Sequence, residues 1–283
     1  MSYRPQFRRF FRWISLPSEG IVLQSEQGPL LLRGSVYCLL APFLNGQHTV
    51  DDIVDRLHNQ VSAVEVRYAL QLLAQRGYVV DAAPSVPLAH AAFWDIVNVN
   101  PQYLHHHLQS TTVAVHTFGE IDAAPFLTTL ASLGVQIDHN GQYSIVLTDD
   151  YLHAGLETFH QDALACARPW LLVKPVGIEV WLGPLFVPGK TGCWACLAHR
   201  LLGARKIESF VSEKIDLASL PSLPQATLPS TLLTALSLAA TEVVKWIAGK
   251  PNEDLEGQIV TVNLLSLTKQ HHVLVRRPQC PSC

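Results

Sequence analysis

The chain has 283 residues, of which 48% are hydrophobic and 15% charged, and its formal net charge is −3 at pH 7. At roughly 150 residues per domain, this length predicts two domains, and the composition is typical of a folded chain with a sizeable core. The weak net charge argues against a nucleic-acid partner, and no apolar run reaches the ~20 residues that a membrane helix needs.

The first 85 residues have the pattern of a winged helix-turn-helix (α+β) domain. The basic, aromatic N-terminus predicts an edge strand, with a partner-facing rim as the alternative, and GIVLQSE and GPLLLRG predict a β-hairpin. SVYCLLAPFL predicts a short helix, Thr49 is the expected N-cap of a second, and Ser62 with Glu65 forms a capping box for a third. YVVDA then returns as a strand, which completes the order of this domain, residues 1–85.

A proline- and alanine-rich linker near residues 82–90 leads into the second predicted domain, residues 86–283. There, apolar strands such as TTVAVHTFG, YSIVLTDD and PWLLVKPVG alternate with amphipathic helices such as AAPFLTTLASLG and ETFHQDALACA. This alternation predicts an α/β domain built on a sheet of parallel strands.

Four of the six cysteines form two CxxC pairs, CWAC and CPSC, at Cys193, Cys196, Cys280 and Cys283. Two such pairs supply a closed tetrahedral thiolate site, which predicts one structural zinc ion. The alternative, a thioredoxin-like redox pair, would need only one CxxC. The N-terminus lacks the apolar stretch of a secretory signal, so we expect a cytoplasmic protein with reduced thiols. Cys38 and Cys166 lie among apolar residues and are predicted to be buried and inert.

Three long segments carry a resemblance to a known family: TDDYLHAGLETFHQDAL, RPWLLVKPVGIEVWLGPLFVPGKTGCWACLAHRL and VLVRRPQCPSC. They resemble the ubiquitin-activating-enzyme superfamily and, more closely, the cyclodehydratase components of thiazole/oxazole-modified (cyanobactin-like) peptide biosynthesis. The resemblance implies a RiPP recognition element followed by a Rossmann-like, activating-enzyme-type (ThiF-like) α/β domain with a structural zinc.

The same resemblance implies a function. Such domains bind the leader of a ribosomal precursor peptide, and a YcaO-type domain or partner protein then uses ATP to make azolines from Cys, Ser or Thr. This chain is therefore expected to be a non-catalytic component of a heterocyclase, without a catalytic residue of its own. A homodimer is the default expectation, because both related groups commonly form one.

In recognition elements of this kind, the leader adds as a strand to the edge of the hairpin and is clamped by the third helix. The resemblance places the open strand at residues 29–33 and the clamping helix at residues 62–75, with candidate peptide contacts at Leu30, Leu32, Arg33, Glu65, Tyr68 and Leu72. The alternative for the leucines and the tyrosine is ordinary core. A DNA-binding regulator is the weaker hypothesis, because the third helix offers only Arg67 and Arg76 as cations.

An adenylating domain needs a glycine-rich turn whose amides approach the phosphates. Here the loop HTFGEIDAAPF has a single glycine, Gly119, and places Glu120 and Asp122 where phosphates would lie. Residues 77–167 contain no Arg or Lys. The sequence therefore predicts that the nucleotide site is lost and that no ATP binds this chain, with an active adenylating enzyme as the alternative.

Three further features carry smaller predictions. Asp149 and Asp150 are expected to cap the following helix, with a remnant of the ribose or metal end of a nucleotide site as the alternative. Consecutive residues of a helix point in different directions, so the three histidines at 105–107 predict a solvated turn rather than a metal site. Residues 206–223 replace the crossover loop of activating enzymes and are a candidate contact for the peptide or a partner.

Overall fold

The computed structural model describes residues 3–82, 87–99, 101–205, 224–250 and 253–283. The chain divides into two compact units, Met1–His105 and His106–Cys283. Each unit has its own apolar core. The boundary predicted after residue 85 falls inside the first unit, because the helix at Leu88–Ile96 is hydrogen-bonded to the N-terminal segment.

The first unit holds a three-stranded antiparallel sheet in the order β2–β3–β4, a separate antiparallel pair β1–β5, and helices against them. The predicted hairpin is β3–β4, and the N-terminal segment forms two short strands rather than one. The elements are β1 (Pro5–Phe7), β2 (Arg12–Leu16), β3 (Gly20–Ser25), β4 (Gly28–Arg33), α1 (Ser35–Leu40), a 3-10 turn (Ala41–Phe43), α2 (Val50–Leu57), α3 (Ala63–Gln75), β5 (Val79–Asp81) and α4 (Leu88–Ile96).

Helices α2 and α3 begin where the sequence predicts. Thr49 accepts the amide of Asp52 at 3.1 Å, and Ser62 accepts the amide of Glu65 at 3.3 Å, with the reciprocal bonds of a capping box in both cases. These caps satisfy amides that the first helical turn leaves unpaired. Helix α1 packs against β3 and α3, α3 packs against α2, and the core that they share includes Ile21, Leu23, Leu32, Ile53, Val66, Leu70 and Leu73.

Helix α4 belongs to the first unit because its buried acid is fastened to the N-terminal segment. Asp95 is only 3% exposed, and its Oδ2 accepts the amide of Arg9 at 2.7 Å and lies 3.6 Å from the Arg9 Nε. Arg8 donates to the backbone carbonyl of Asp95. These bonds account for the extension of the unit past the expected linker.

Replacing Asp95 with alanine is expected to lower the free energy of unfolding by about 3–5 kcal/mol, because the Arg9 guanidinium would stay buried without its counter-ion. The matched control is Asp51→Ala, which removes an ion pair with Arg67 whose side chains are 78% and 57% exposed. An exposed pair contributes about 1 kcal/mol or less. Denaturant unfolding measures both, and equal losses would contradict the anchoring role of Asp95.

The second unit is built on a seven-stranded sheet in the order β12–β11–β10–β9–β8–β6–β7. Its strands are β6 (Thr112–Phe118), β7 (Gln136–Ile137), β8 (Tyr143–Thr148), β9 (Trp170–Lys174), β10 (Glu179–Phe186), β11 (Gln258–Asn263) and β12 (Thr268–Val273). The helices are α5 (Pro101–Ser110), which spans the boundary between the units, α6 (Ala124–Ser132), α7 (Gly155–Ala165), α8 (Trp194–Ala204) and α9 (Pro229–Ile247).

The prediction of parallel strands holds for only part of this sheet. β7, β6, β8 and β9 are parallel, whereas β9 to β12 pair in an antiparallel way. Only residues 175–178 join β9 to β10, and only residues 264–267 join β11 to β12. Links this short reverse the chain, because a parallel pair needs a crossover of a dozen residues or more. Among the helices described, none is long and apolar enough to cross a lipid bilayer.

Candidate functional sites: a thiolate cluster and the ends of the parallel strands

The four cysteines of the two CxxC pairs come together in the second unit, and their sulfur atoms all lie within 4.8 Å of one another. The Sγ of Cys193 is 3.5 Å from that of Cys280, and the Sγ of Cys196 is 3.6 Å from that of Cys283. A zinc ion bound tetrahedrally at about 2.3 Å would place its sulfurs about 3.8 Å apart. The donor set therefore fits a four-thiolate metal ion.

Local structure brings the two pairs together. Cys193 is the N-cap of α8 and Cys196 lies in its first turn, while the other pair follows β12 at the end of the chain. The amide of Arg277 donates to the Cys196 sulfur at 3.4 Å, and the indole of Trp194 donates to the carbonyl of Tyr151 at 2.9 Å. The predicted grouping of the four cysteines is confirmed.

The thiols differ in their acidity. Burial raises the pKa of Cys193 and of Cys283. At Cys280 burial acts in the same direction, but hydrogen bonds with the Ser282 amide and with the neighbouring sulfurs lower the pKa to about 6. Thiols packed this closely cannot all ionise without a cation, because like charges in a shared site disfavour each other. A bound divalent metal would remove that conflict, and its binding would release protons.

The two remaining cysteines lie outside this cluster. Cys166 is exposed, so the prediction that it is buried is wrong. Helix α7 ends at Ala165, and Cys166 is the residue that caps its carboxyl end. Cys38 is half-buried and donates to the carbonyl of Gly20 at 3.0 Å. The three consecutive histidines lie within α5 rather than in a turn, with His105 and His106 exposed.

A second candidate site lies at the carboxyl ends of β6 and β8, where open α/β sheets bind their ligands. Gly119 follows β6 with φ +85°, and the next amide, of Glu120, donates to the carboxylate of Asp149 at 3.1 Å. A Cβ placed on Gly119 would lie 2.1 Å from Asp149 Oδ2. The side chain of Asp149 therefore takes the space in front of Gly119 and the Glu120 amide.

Asp150 is held by a cation at the same edge. Arg205 donates two bonds to its carboxylate, at 2.9 and 2.8 Å, and the amide of Leu152 donates a third at 3.0 Å. Burial alone would raise the pKa of Asp150, but the bonds from Arg205 and Leu152 together outweigh it and lower the pKa. Asp150 is therefore charged at neutral pH. Lys174, at the end of β9, adds a second positive charge that favours the ionised form.

Neither aspartate caps a helix, so that prediction is wrong. α7 begins at Gly155 with Ala154 as its N-cap and no side-chain cap, and the turn between β8 and α7 directs both carboxylates to the strand ends. Sequence reasoning also missed Arg205, which is 55 residues from its partner and has no motif around it. The candidate contact segment at 206–223 lies outside the described residues. Beyond it, Gln225 donates to the Asp149 carbonyl at 3.0 Å.

Substituting Gly119 with alanine is expected to destabilise the second unit by more than the ~1 kcal/mol that a left-handed backbone costs an L-residue. The added methyl group would collide with the Asp149 carboxylate. Gly189→Ala is the matched control, because Gly189 has φ +79° and open space around the same Cβ position. In thermal unfolding, Asp149→Ala should offset part of the loss in the double variant. Equal losses for Gly119→Ala and Gly189→Ala would contradict this packing.

The candidate peptide contacts fall into two groups. Leu32 is 4% exposed and lies in the core of the first unit, with Leu30 packed against that core. The Glu65 carboxylate is engaged in its capping box, where bonds from Ser62 lower its pKa. In the other group, Arg33 and Tyr68 are exposed, Tyr68 to 62%, and Leu72 is half-buried.

Known proteins are similar to this chain in both of its units. A family model described as a winged helix-turn-helix domain matches residues 6–81. No curated protein sequence matches the chain significantly. The solved heterocyclase TruD is 40% identical with a TM-score of 0.89, and the match covers 99% of this chain and 43% of TruD. A heterocyclase in complex with substrate and cofactor is 38% identical, with a TM-score of 0.86 and coverage of 100% and 39%.

More distant structures show the same fold. E. coli MccB with ATP is 12% identical, with a TM-score of 0.68 and 99% coverage of both chains. The chain thus consists of a winged-helix domain followed by an α/β domain with a thiolate cluster, and the two together share the fold of MccB. The resemblance to heterocyclase components is confirmed: the chain is a homologue of the heterocyclase TruD and spans less than half the length of each of these two heterocyclases.

Proposed function

We propose that the chain binds the leader of a ribosomal precursor peptide and presents it to a YcaO-type, ATP-dependent cyclodehydratase that makes azolines from Cys, Ser or Thr. One combination carries the proposal. A winged-helix domain with an open-edged hairpin precedes an α/β domain in which the Asp149 carboxylate occupies the space in front of the loop after β6. The 40% identity to TruD supports it.

The open edge of the hairpin is β4, which among the described residues pairs with β3 alone. The amide of Gly34 donates to the carbonyl of Glu19 at 2.9 Å, just beyond the strand pairs. Backbone groups alternate in direction along an antiparallel strand, so those of Leu31 and Arg33 point away from β3. Pro29 has the same direction but no N–H to offer. An added peptide strand would therefore pair with Leu31 and Arg33.

The side chains beside this edge suit an extended peptide. Leu31 is 36% exposed and lies opposite Val22, which in turn lies opposite Ile14, itself 41% exposed. This row on the solvent face of the sheet could receive alternate apolar side chains of the leader, and Arg33 adds a charge. On α3, Tyr68 offers a further exposed aromatic surface. Leu30 and Leu32 would then support the strand from the core side.

Fluorescence anisotropy with a labelled cognate leader tests the proposal. Saturable binding by the full chain at low micromolar concentration or below is expected, and a leader of scrambled sequence is the control. Absence of binding at tens of micromolar would contradict leader recognition by this chain.

We propose that the ATP chemistry lies on a YcaO domain or partner and not on this chain. The Asp149 carboxylate already accepts the loop amide of Glu120, and exposed Glu120 and Asp122 add negative charge where a triphosphate would approach. Calorimetry with Mg-ATP and pyrophosphate exchange by this chain alone are both expected to give no signal. Pyrophosphate exchange would instead favour an active adenylating enzyme that acts on a carboxyl terminus.

We propose that the thiolate cluster binds one structural zinc ion. Four protein ligands leave no coordination position for water or substrate, so the ion would fasten α8 to the end of the chain rather than do chemistry. Elemental analysis of the purified chain is expected to give one zinc per chain, and its absence would contradict the assignment.

Nucleic acid is not among the proposed partners. Arg67 of α3, one of two cations available to a recognition helix, pairs with Asp51 at 2.7 Å. A gel shift that persists at ~150 mM salt would contradict this view, because non-specific phosphate binding fades with salt. A homodimer remains a prediction, which light scattering measures directly.

A further inference from the structure

One buried histidine has no role in the sites described so far. His160 lies in α7 and is 2% exposed, and its Nε2 atom has no hydrogen-bond partner among the described residues. A buried polar atom without a partner costs about 1–3 kcal/mol, and most such atoms in folded proteins are satisfied. The hydrogen bonds formed among the described residues therefore leave this nitrogen unsatisfied, and its partner has to be sought in its immediate surroundings.

The residues around His160 limit which groups can form a hydrogen bond with its Nε2 atom. Its side chain lines a cavity of about 10 Å³ together with Cys193, Cys283 and Thr191. The Thr191 hydroxyl is already engaged, because it accepts the amide of Val187 at 3.0 Å and donates to the Val187 carbonyl at 3.3 Å. Of the other lining residues, Trp170 has an indole N–H, which can only donate, and the remaining side chains are apolar. The two sulfurs are thus the side-chain acceptors left for an imidazole N–H, and the cavity is near the lower limit for one water molecule.

A metal-loaded cluster would need such a donor. Four thiolates around a divalent cation carry a net charge of −2, and a charge in a buried site is costly unless hydrogen bonds compensate it. The backbone supplies some of this compensation, for example from the Arg277 amide to the Cys196 sulfur. His160 is placed on the side of the other two ligands, Cys193 and Cys283.

We propose that His160 is a positioning residue of the zinc site, whose Nε2–H donates to the sulfur of Cys193 or Cys283, directly or through one water in the shared cavity. The inference rests on the proposed zinc and is independent of leader binding. Groups that hydrogen-bond metal ligands typically contribute 10–100-fold to metal affinity.

Three variants test the role: His160→Phe, which removes the N–H and keeps a ring, His160→Gln, which retains a donor, and His116→Phe as matched control. His116 lies on β6, its buried Nε2 also lacks a partner in the part of the chain that the structure describes, and its ring centroid is 4.9 Å from that of Phe159, yet it does not line the cluster cavity. Zinc content is measured first, followed by the rate of zinc transfer to a chromogenic chelator. The thiolate-to-metal charge-transfer band is then recorded with cobalt(II) in place of zinc.

His160→Phe is expected to release zinc 10–100-fold faster and to shift the cobalt charge-transfer band, while His160→Gln stays within a few fold of the wild-type rate and His116→Phe changes neither readout. Wild-type release and an unshifted band in His160→Phe would overturn the proposal. So would equally fast release from His160→Gln, which would indicate packing alone. A wild-type chain without zinc would overturn the zinc assignment itself, and this inference with it.

Discussion

Replacing Cys280 with serine is expected to abolish stoichiometric zinc binding and to unfold the second unit at temperatures where the wild-type chain is folded. Structural zinc sites of this kind bind with apparent free energies of about 10–16 kcal/mol near pH 7, which equals or exceeds the stability of a typical domain. Two of the ligands, Cys193 and Cys196, are 4% and 0% exposed and lie in the core with Leu197 and Leu274. Loss of the ion would leave thiols without compensation inside that core.

Elemental analysis and thermal unfolding followed by near-ultraviolet circular dichroism measure the effect. Cys166→Ser is the matched control, because Cys166 is an exposed thiol outside the cluster. The first unit has its own core, so leader affinity is expected to fall by less than about threefold in Cys280→Ser. A Cys280→Ser chain that kept both its zinc and its thermal midpoint would show that the cysteines do not hold a structural ion.

The features that sequence reasoning predicted correctly depend on local chemistry. The capping boxes at Thr49 and Ser62 involve residues three apart, so their signal is complete within one helical turn. The CxxC pairs are similar, because each pair meets a metal from one tight turn and two pairs imply one site. The long separation of the two pairs along the chain did not weaken the prediction, because each pair supplies only two of the four ligands that a structural zinc ion needs.

The features that sequence reasoning missed depend on contacts between segments that lie far apart in the chain. Asp149 and Asp150 look like helix caps when only the following residues are considered, but the structure pairs them with Glu120 and Arg205. Strand direction is also non-local: an apolar run such as β10 looks the same in parallel and antiparallel sheets, and only the short link before it reveals the reversal.

The strand β4 was predicted correctly in position, but the residues that it turns towards solvent were predicted only in part. Sequence reasoning grouped Leu30, Leu32 and Arg33 as peptide contacts, although strict alternation separates the leucines from the arginine. In the structure, Leu32 is buried and Leu31 is exposed. Pro29 was the available signal, because a proline is tolerated only where the strand has no partner to receive its N–H. It indicates that residues 29, 31 and 33 share the open side.

Replacing Leu31 with proline is therefore expected to weaken leader binding by about fivefold or more while the hairpin stays paired. The Leu31 amide points away from β3, so the substitution spares the β3–β4 bonds and removes a donor that an added strand would use. The lost bond and the unpaired peptide carbonyl together cost about 1–3 kcal/mol, and 1.4 kcal/mol corresponds to a factor of ten in affinity.

The other edge of the same sheet offers a matched control. In β3 the backbone groups of Gly20, Val22 and Gln24 face β2, so Ser15 of β2, which lies opposite Ile21, points away from β3. Ser15→Pro thus places the same residue at an equivalent position on the edge that no leader is proposed to use. Both variants are titrated by anisotropy, and circular dichroism verifies that they are folded. Leu31→Pro should bind the leader more weakly than the wild type, whereas Ser15→Pro should bind it with wild-type affinity. If Ser15→Pro were the weaker binder, the leader would add to β2, and if both bound normally, recognition would not proceed by strand addition to this sheet.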